Sequence, residues 1–283
     1  MHLAFLGLGL IGGSVARAAA ASGFSTRITA WTPGGVGPRA GRADGITAAP
    51  TAAEAIRGAD LIVLAAPPLA CLDLLDALAG PLSAELAADA VITDVASTKA
   101  AIVARAGRLG LRFSGGHPLA GRETTGYAAA DPELFRDRPW VVVSRTPPDA
   151  AADARVRDLA IACGARPVAM TAADHDTAVA GISHAPLVVS AALVEAMAGA
   201  ADWPAARTLA AGGWASMTRL ATGDPTMGAG ILATNSRATA DRLRAVRAEI
   251  DTWIAQLEGD APDGDALAAR LAEIRRIAVG ADD

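Results

Sequence analysis

Lysine is almost absent from this sequence. Of the 25 basic residues in the 283-residue chain, Lys99 is the one lysine and the others are arginines. A lysine ammonium is a compact point charge, whereas the arginine guanidinium is a broad planar fork, so the two are not interchangeable where the charge is used. The single lysine therefore indicates a position with a specific task, and retention by chance is the alternative.

Cysteine and long apolar runs are also scarce. The two cysteines, Cys71 and Cys163, stand far apart in apolar surroundings, which favours buried thiols in a reducing compartment over a disulfide or a metal site. No uninterrupted apolar run reaches the ~20 residues that a membrane span needs. The first residues lack the basic segment of a secretory signal. We therefore expect a cytoplasmic protein without a metal ion or a membrane partner.

Blocks of basic charge are missing as well. The formal net charge is −5, and charged residues are spread along the chain. Nucleic acids and anionic membrane surfaces bind concentrated positive charge, so neither is an expected partner. The hydrophobic content of 52% over this length predicts one large or two medium globular domains.

A glycine-rich turn stands near the start of the chain. Residues 2–6 have the composition of a buried strand, and Gly7, Gly9 and Gly12 follow ahead of an alanine-rich helix that closes at Gly23. Strand, glycines and helix come in the order of a dinucleotide site, where the glycines allow a tight turn, a close approach to the pyrophosphate and helix packing. We predict that these glycines bind a dinucleotide; a glycine-rich turn without a ligand is the alternative.

The residues around this turn predict how the dinucleotide is held. Leu10 and Ile11, at the helix N-terminus, offer backbone N–H groups and a positive dipole end to the phosphates. An NAD-binding chain usually has Asp or Glu at the tip of its second strand for the ribose hydroxyls. Here the tip after RITAW reads Thr32, and Arg39 and Arg42 follow. The missing acid leaves room for a 2′-phosphate, so we expect NADP to be used at least comparably to NAD.

Strands and helices alternate over the first part of the chain. Such alternation predicts an α/β fold with a doubly wound parallel sheet. Ala66, Pro67 and Ser97 come just after two of the strands, at the edge where such sheets bind ligands, and we predict that they contact the cofactor. The predicted strands cover residues 2–6, 27–31, 60–68, 90–97, 112–116, 140–144 and 166–170.

The pattern becomes helical near residue 171. Thr171 is a predicted helix N-cap and Pro186 a predicted kink, and no strand candidate follows. We therefore predict a Rossmann-type NAD(P)-binding domain over residues 1–171, followed by an all-helical domain over residues 172–283.

One of the four histidines stands in an unusual setting, the stretch GGHPLAGRETTG at residues 115–126. The glycine pair before His117 and the proline after it exclude a helix interior and a central strand. His117 is therefore expected on a loop or at a strand end, where catalytic groups are common. A histidine that only hydrogen-bonds a turn is the alternative.

Five motifs in register resemble the successive signatures of the prephenate/arogenate dehydrogenases of tyrosine biosynthesis. The resemblance covers about residues 3–250 and implies an NAD(P)-dependent oxidative decarboxylation of arogenate or prephenate. The motifs are GLGLIGGS (7–14), DVASTK (94–99), GGHPLAGRETTG (115–126), DHDTAVAGISHAP (174–186) and MTRLATGDPTM (217–227).

The resemblance implies the catalytic roles. In the family, the histidine of the HPxAG motif lies beside the nicotinamide and accepts the proton of the ring 4-hydroxyl, and His117 matches it. Ser97 matches a serine that orients this histidine near the nicotinamide; a helix N-cap is the local alternative. Lys99 matches the lysine of the same motif, and Asp94 is interpreted as structural.

The resemblance also implies the substrate contacts and the assembly. Arg219 matches an arginine that binds the ring carboxylate, a task that suits a bidentate guanidinium. Glu123 matches an acid at the mouth of the site, with a solvated loop residue as the alternative. His184 is a candidate wall of the site, and His175 a candidate for that or for capping and packing. The family pairs its helical domains, so a homodimer is expected.

Two departures from the family pattern concern the substrate side chain. Many prephenate-using members read SHxPH, and their second histidine contacts that side chain; here the position is Leu187. Many members also have a bulky sequence where this chain has residues 227–230, Met-Gly-Ala-Gly. The leucine favours arogenate over prephenate.

Two other functions remain open on the sequence. A β-hydroxyacid or imine-type dehydrogenase has the same two-domain plan, but usually carries a lysine or another polar group on the first long helix of its helical domain. A nucleotide-sensing module would have no need of the set His117, Ser97 and Arg219.

Overall fold

The structure is a computed structural model that describes residues 1–122, 124–258 and 262–280. The chain divides into two compact units, Met1–Thr239 and Ala240–Asp283. These units are defined by compactness. The predicted boundary near residue 171 is defined by function, between a cofactor domain and a substrate domain, and it stays a prediction.

A five-stranded parallel sheet lies at the centre of the first unit. Its order is β3-β2-β1-β4-β5, which confirms the predicted doubly wound parallel sheet; the short β3 was not predicted. The inner strands are buried on both faces, as expected where helices cover both sides of a sheet. The strands are β1 His2–Leu6, β2 Arg27–Trp31, β3 Thr47–Ala48, β4 Leu61–Leu64 and β5 Val91–Asp94.

A second sheet of three strands contains an antiparallel pair. Its strands are β6 Ser114–Pro118, β7 Pro139–Ser144 and β8 Arg166–Ala169. β6 runs antiparallel to β7, and β7 runs parallel to β8. The sequence placed all these strands but gave no sign of the antiparallel pair. A parallel pairing needs a crossover of a dozen or more residues, usually a helix, and between β6 and β7 the described residues form only a 3₁₀ turn, Tyr127–Ala129.

Helices cover both faces of the main sheet, and after β8 the regular elements of the described residues are helical. Alternate residues of β1 enter opposite apolar layers: Leu3 and Phe5 pack into one, Ala4 and Leu6 into the other. After β8 no strand occurs among the described residues, as predicted. The helices are α1 Leu10–Ala21, α2 Val36–Ala40, α3 Ala52–Ile56, α4 Pro68–Ala79, α5 Ala100–Arg108, α6 Ala150–Ala162, α7 Ala172–Val179, α8 Ala185–Ala198, α9 Trp203–Ala206, α10 Gly212–Thr218, α11 Pro225–Thr234, α12 Ser236–Leu257 and α13 Gly264–Val279.

The predicted N-cap of the first long helix is confirmed, and an irregular turn stands just before Pro186, the predicted kink. The Thr171 hydroxyl accepts the N–H of Asp174 at 3.1 Å and caps α7. A wide π-helical turn, Ala180–His184, then joins α7 to α8. Proline lacks an N–H and its ring crowds the carbonyl four residues earlier. For Pro186 that residue is Ile182, inside the π turn, so the irregularity precedes the proline by one turn.

The joined helix over residues 172–198 corrects one expectation. By length and composition it is apolar enough to cross a membrane, and 28% of its most apolar window is buried within the chain. The sequence-based estimate counted only uninterrupted apolar residues. A helix that packs against protein passes the same test, so the finding shows a large apolar surface and no more.

Both cysteines are buried free thiols. Burial raises the pKa of Cys71 and of Cys163 to about 12. They are therefore uncharged at neutral pH. The prediction of buried thiols is confirmed.

Candidate active site

The glycine turn after β1 leaves an open, uncapped helix N-terminus. Gly7 has a φ of +109°, and a Cβ there would lie 2.1 Å from the carbonyl oxygen of Ala65. A Cβ at Gly12 would lie 2.7 Å from the Gly7 carbonyl oxygen. Gly9, by contrast, has no heavy atom within 4 Å of the Cβ position. Two glycines thus close the turn onto β4, while Gly9 lets a ligand approach the backbone, a geometry that fits a dinucleotide.

The first turn of α1 completes this cradle. Gly9 is the N-cap of the helix, and no side chain caps the N–H groups that follow. Leu10 and Ile11 therefore present backbone N–H groups at the positive end of the helix dipole, which suits a phosphate.

The other predicted cofactor residues lie along the same edge of the sheet. β2, β4 and β5 all run parallel to their neighbours, so the residues that follow them meet at one edge. These are Thr32 after β2, Ala66 and Pro67 after β4, and Ser97 after β5. The Ala66 carbonyl is fixed by the thiol of Cys71, which lies 3.3 Å away. The fold therefore brings the predicted cofactor residues together.

The tip of β2 has an arginine and no available acid. The loop after Thr32 turns through Gly35 at a φ of +67°, and the Arg39 guanidinium lies against it, 2.6 Å from a Cβ placed there. The next acid along the chain is Asp44, which is already engaged: the Tyr127 hydroxyl donates to it at 2.5 Å and Arg17 at 2.9 Å. These two hydrogen bonds lower the pKa of Asp44. The tip is therefore positive in character.

His117 lies at the end of the edge strand β6. It is the last residue but one of that strand and pairs with Val141. A Cβ at Gly116 would lie 2.6 Å from the carbonyl oxygen of Asp94, the last residue of β5, and 3.0 Å from Trp140 Nε1. The glycine before the histidine is therefore required for close packing against β5, which holds His117 beside the carboxyl edge.

The single lysine forms a buried ion pair. Lys99 Nζ donates to the carboxylate of Asp94, and both side chains are 0% exposed. Asp94 also accepts the N–H of Ala96 at 3.0 Å and that of Gly116 at 3.2 Å. A carboxylate in this setting supports the structural interpretation of Asp94. Loss of one partner from a buried ion pair costs about 3–5 kcal/mol, so a neutral residue in place of Lys99 is expected to destabilise the fold; the specific task that its rarity indicates stays a prediction.

His117 is held in its neutral form. Burial lowers its pKa well below 6.5, and unfavourable electrostatic interactions of a protonated ring with Lys99, His175 and His184 lower it further. A neutral imidazole has a free lone pair, so at neutral pH His117 is ready to accept a proton.

A chain of hydrogen bonds links His117 to a carboxylate on α7. His117 Nδ1 lies 2.8 Å from His175 Nε2, and His175 Nδ1 lies 2.8 Å from Asp176 Oδ1. The same carboxylate accepts the backbone N–H groups of Lys99 at 2.8 Å and Ala100 at 2.9 Å. Burial opposes the charge on Asp176, but these hydrogen bonds outweigh it and the pKa is lowered.

This arrangement corrects the local alternative for Ser97. The helix that follows begins at Ala100, not next to Ser97, and its N-cap residue Lys99 makes no capping bond with its side chain. The cap comes from Asp176, across 77 residues of sequence. Ser97 is partly buried, and its proposed role of orienting His117 stays a prediction.

His184 lies in the π turn and is almost fully buried. Its Nδ1 accepts from the Asn235 amide at 3.1 Å, and the same amide donates to the Asp176 carbonyl at 2.7 Å. His184 Nε2 has no partner among the described residues. Burial lowers the pKa of His184 to about 4. Asn235 was not predicted, because nothing in its local sequence marks it.

The predicted substrate residues lie on elements that contact one another. Leu187 is in α8, and its Cδ2 lies 3.6 Å from a Cβ placed at Gly228 of α11. Arg219 begins a 3₁₀ turn, and a backbone N–H of that turn donates to Ser190 of α8 at 3.1 Å. Glu123 lies outside the described residues.

Small residues let α11 lie against the cofactor edge. A Cβ at Gly230 would be 3.2 Å from Pro68, at the start of α4. The hydroxyls of Thr98 and Thr234 lie 2.8 Å apart, which ties α11 to the loop after β5. The departure from the bulky family sequence at residues 227–230 thus coincides with a close helix contact.

Comparison with known proteins agrees with these features. The family model for the nucleotide-binding domain of prephenate dehydrogenase matches residues 15–169, and that for its dimerization domain matches residues 171–273. The crystal structure of Synechocystis arogenate dehydrogenase aligns with a TM-score of 0.77 at 30% identity, covering 97% of this chain and 99% of that one.

Curated relatives agree as well. A cyclohexadienyl dehydrogenase of Zymomonas mobilis is 30% identical over 271 residues, which is 92% of this chain and 90% of the relative. A prephenate dehydrogenase of Lactococcus lactis is 32% identical over 206 residues, 70% of this chain. That alignment spans 55% of the Lactococcus protein, so this chain matches about half of that relative's length.

The family assignment decides against the two functions left open on the sequence, because both of its domain models match in order over most of the chain. The chain belongs to the prephenate/arogenate dehydrogenase family, the NAD(P)-dependent dehydrogenases that carry out an oxidative decarboxylation in tyrosine biosynthesis.

Proposed function

We propose that this chain oxidises and decarboxylates arogenate, with His117 as the base that takes the proton of the ring hydroxyl. One observation carries the proposal: a neutral imidazole at a strand end, against the last residue of β5, with one ring nitrogen bonded to His175. The other nitrogen is left for the substrate.

The proposed chemistry needs a proton acceptor and correct positions. When bound, the nicotinamide takes the hydride from the ring carbon that carries the hydroxyl. His117 takes the hydroxyl proton as that carbon becomes a carbonyl. The bond from the ring to its carboxylate then breaks, CO₂ leaves, and the electron pair makes the ring aromatic. His117 returns the proton to the ring oxygen, so no proton is gained or lost overall.

We assign the substrate carboxylate to Arg219 and the mouth of the site to Glu123. A guanidinium binds a carboxylate through two parallel hydrogen bonds. Ser97 is assigned to the nicotinamide side of His117, and His184 to the wall of the site. Support comes from the fold, which brings α8, the turn at Arg219 and α11 into contact next to the cofactor edge.

We further propose that NADP is used at least as well as NAD. Thr32 takes the place of the usual acid, Arg39 lies against the same loop, and Asp44 is engaged by Tyr127 and Arg17. Nothing at this tip repels a 2′-phosphate, and one guanidinium stands ready to bind it.

The proposed preference for arogenate rests on Leu187. Prephenate and arogenate share the ring, the hydroxyl and the ring carboxylate, so His117 and Arg219 treat them alike. They differ in the side chain, a keto acid in prephenate and an amino acid in arogenate. A leucine offers no hydrogen bond to the keto acid, and loss of such a bond costs about 1–3 kcal/mol.

Steady-state assays of the purified protein with arogenate and prephenate, each with NAD⁺ and NADP⁺, test both preferences. We expect the highest kcat/KM for arogenate, and a kcat/KM for NADP⁺ no lower than that for NAD⁺. Leu187→His is expected to raise prephenate use relative to arogenate, whereas Val188→His, one position further along α8, is the matched control. A clear preference of the unmodified protein for prephenate would contradict the assignment of Leu187.

We also propose a homodimer through the helical part of the chain. The helix over residues 172–198 has a large exposed apolar surface, including Ile182 at 74% exposure, and a second copy would cover it. Light scattering should give the mass of a dimer. Ile182→Glu should weaken the dimer, whereas Ile161→Glu on α6, also exposed, should not. The buried free thiols fit a cytoplasmic location.

A further inference from the structure

We propose that His175 and Asp176 are positioning residues that fix the tautomer of His117, so that its Nε2 carries the lone pair and its Nδ1 the proton. The inference deepens the proposed role of His117 and rests on it for the effect on turnover. The tautomer itself follows from hydrogen-bond geometry alone.

The deduction starts at the carboxylate. Asp176 receives two backbone N–H groups, from Lys99 and Ala100, and both are donors in every protonation state. An ionised carboxylate is an acceptor only. The His175 Nδ1 that lies 2.8 Å from Asp176 Oδ1 must therefore donate to it.

The next step concerns the hydrogen bond between His175 and His117. A neutral imidazole has one donor nitrogen and one acceptor nitrogen. In its neutral form His175, which donates from Nδ1, therefore accepts at Nε2. His117 Nδ1 lies 2.8 Å from that nitrogen and so carries a proton that it donates. The lone pair of His117 is left on Nε2, the nitrogen that does not face His175.

The surroundings hold this arrangement in place. His175 is 1% exposed, so water does not compete for its ring. The rings of His117 and His175 meet edge to face, at 75° and 5.0 Å between centroids. The Asp176 backbone carbonyl is bonded to Asn235, and its carboxylate caps α5. The carboxylate that sets the tautomer is thus anchored to α5, and the backbone of the same residue is held by Asn235 at the end of α11.

For the reaction, the consequence is that His117 is held in one tautomer. An imidazole without a partner exchanges between two tautomers, and only one of them has its lone pair toward the substrate. In serine proteases, an altered carboxylate that imposes the wrong tautomer lowers kcat by about 10⁴-fold. His175 and Asp176 remove that loss here by stabilising the active tautomer, and they also stabilise the positive charge when His117 takes the proton.

Nitrogen NMR of the wild-type protein tests the tautomer directly. The chain has four histidines, and the His117→Asn variant identifies the signals of His117 in long-range ¹⁵N–¹H spectra. We expect at alkaline pH a protonated Nδ1 and an unprotonated Nε2 for His117, and the same for His175. A protonated Nε2 on His117 overturns the inference. This result does not depend on turnover, so it stands apart from success or failure of the proposed function.

Two variants of similar size test the effect on turnover. His175→Leu removes the acceptor, and we expect kcat to fall on the order of a hundredfold while the dissociation constant of the nucleotide stays within about twofold. His175→Gln supplies a side-chain carbonyl that accepts from His117 Nδ1, and we expect it to recover most of the loss. His2→Gln, at a buried histidine on the amino end of β1 (7% exposed), is the matched control with unchanged kcat.

The outcomes separate the two proposals. If His117→Asn lowers kcat but His175→Leu does not, His117 is the base and the positioning role of His175 is wrong. If neither lowers kcat, the proposed function of His117 is wrong, and the NMR result still decides the tautomer. A His175→Gln variant as slow as His175→Leu, with wild-type thermal unfolding in both, contradicts positioning through a hydrogen-bond acceptor.

Discussion

The glycine turn after β1 and the histidine chain at the end of β6 reach the same edge of the fold in different ways. The turn depends on the absence of side chains. A Cβ at Gly7 or Gly12 would lie 2.1 or 2.7 Å from a backbone carbonyl oxygen, which is too close, whereas Gly9 has open space at that position. The hydrogen-bond chain depends on polar partners, which run from His117 through His175 to Asp176. The difference teaches that the proposed cofactor side depends on shape, and the proposed catalytic side on charge and proton position. Substitutions should therefore affect folding and binding in the first region, and turnover in the second.

The largest expected effect is on the shape side. Gly7→Ala introduces a Cβ that meets the Ala65 carbonyl at 2.1 Å, in a backbone conformation with a φ of +109°. We expect the free energy of unfolding to fall by about 3 kcal/mol or more, as measured by urea denaturation. Gly9→Ala is the matched variant: its Cβ meets nothing, so stability should hold while nucleotide affinity drops. Equal effects on stability would break the distinction between the two glycines.

A smaller effect is expected at the proposed substrate anchor. Arg219→Ala should raise KM for arogenate by roughly tenfold to a hundredfold with a modest change in kcat, because the carboxylate is bound in the ground state as well as in the transition state. Arg207→Ala, another arginine on the helical part of the chain, serves as a control in the same kinetic assay. A collapse of kcat with KM unchanged would contradict the anchor role.

A substitution at the tip of β2 sharpens the comparison, because it adds a charge to the region where shape is expected to dominate. Thr32→Asp should repel a 2′-phosphate and offer the ribose hydroxyls an acceptor, shifting the ratio of kcat/KM for NADP⁺ and NAD⁺ about tenfold toward NAD⁺. Thr32→Asn, of the same size without the charge, should shift it less. A hundredfold preference of the unmodified protein for NAD⁺ would mean that some other acid binds the ribose.

The smallest expected effect is on the pH dependence of turnover. Burial, then unfavourable electrostatic interactions with Lys99, His175 and His184, lower the pKa of His117 well below 6.5. The base is active when neutral, so activity should be constant through neutral pH and fall only as the pH drops below 6.5. Measurement of kcat against pH checks the sign. An acid limb centred above 6.5 would show that His117 is not in a desolvated, positive setting.

Local patterns in the sequence predicted the glycine turn and the strand and helix on either side of it. The glycines, the strand ahead of them and the helix behind them lie within 20 residues or so, and each conformation follows from steric rules that act between near neighbours. His117 was singled out for the same reason, since glycine and proline next to it restrict the backbone. The lone lysine was also marked by its rarity, although its partner Asp94 was given only a structural role.

Local sequence patterns could not predict the hydrogen-bond chain from His117 to Asp176. His117 and His175 are 58 positions apart, and Asp176 caps a helix 77 positions away from it in sequence. The sequence around Asp176 does not show which backbone N–H groups its carboxylate binds. The antiparallel β6–β7 pair was missed for a related reason, because strand direction depends on how the connection packs and not on the strand's own composition.

Substitution of His117 tests the central claim most directly, because it separates proton transfer from binding. In single-turnover experiments with saturating nucleotide, His117→Asn should convert arogenate to its oxidised, decarboxylated product at least a hundredfold more slowly than the wild-type protein does, with the dissociation constant for the nucleotide unchanged. A turnover rate equal to that of the wild-type protein with either arogenate or prephenate would remove His117 from the mechanism.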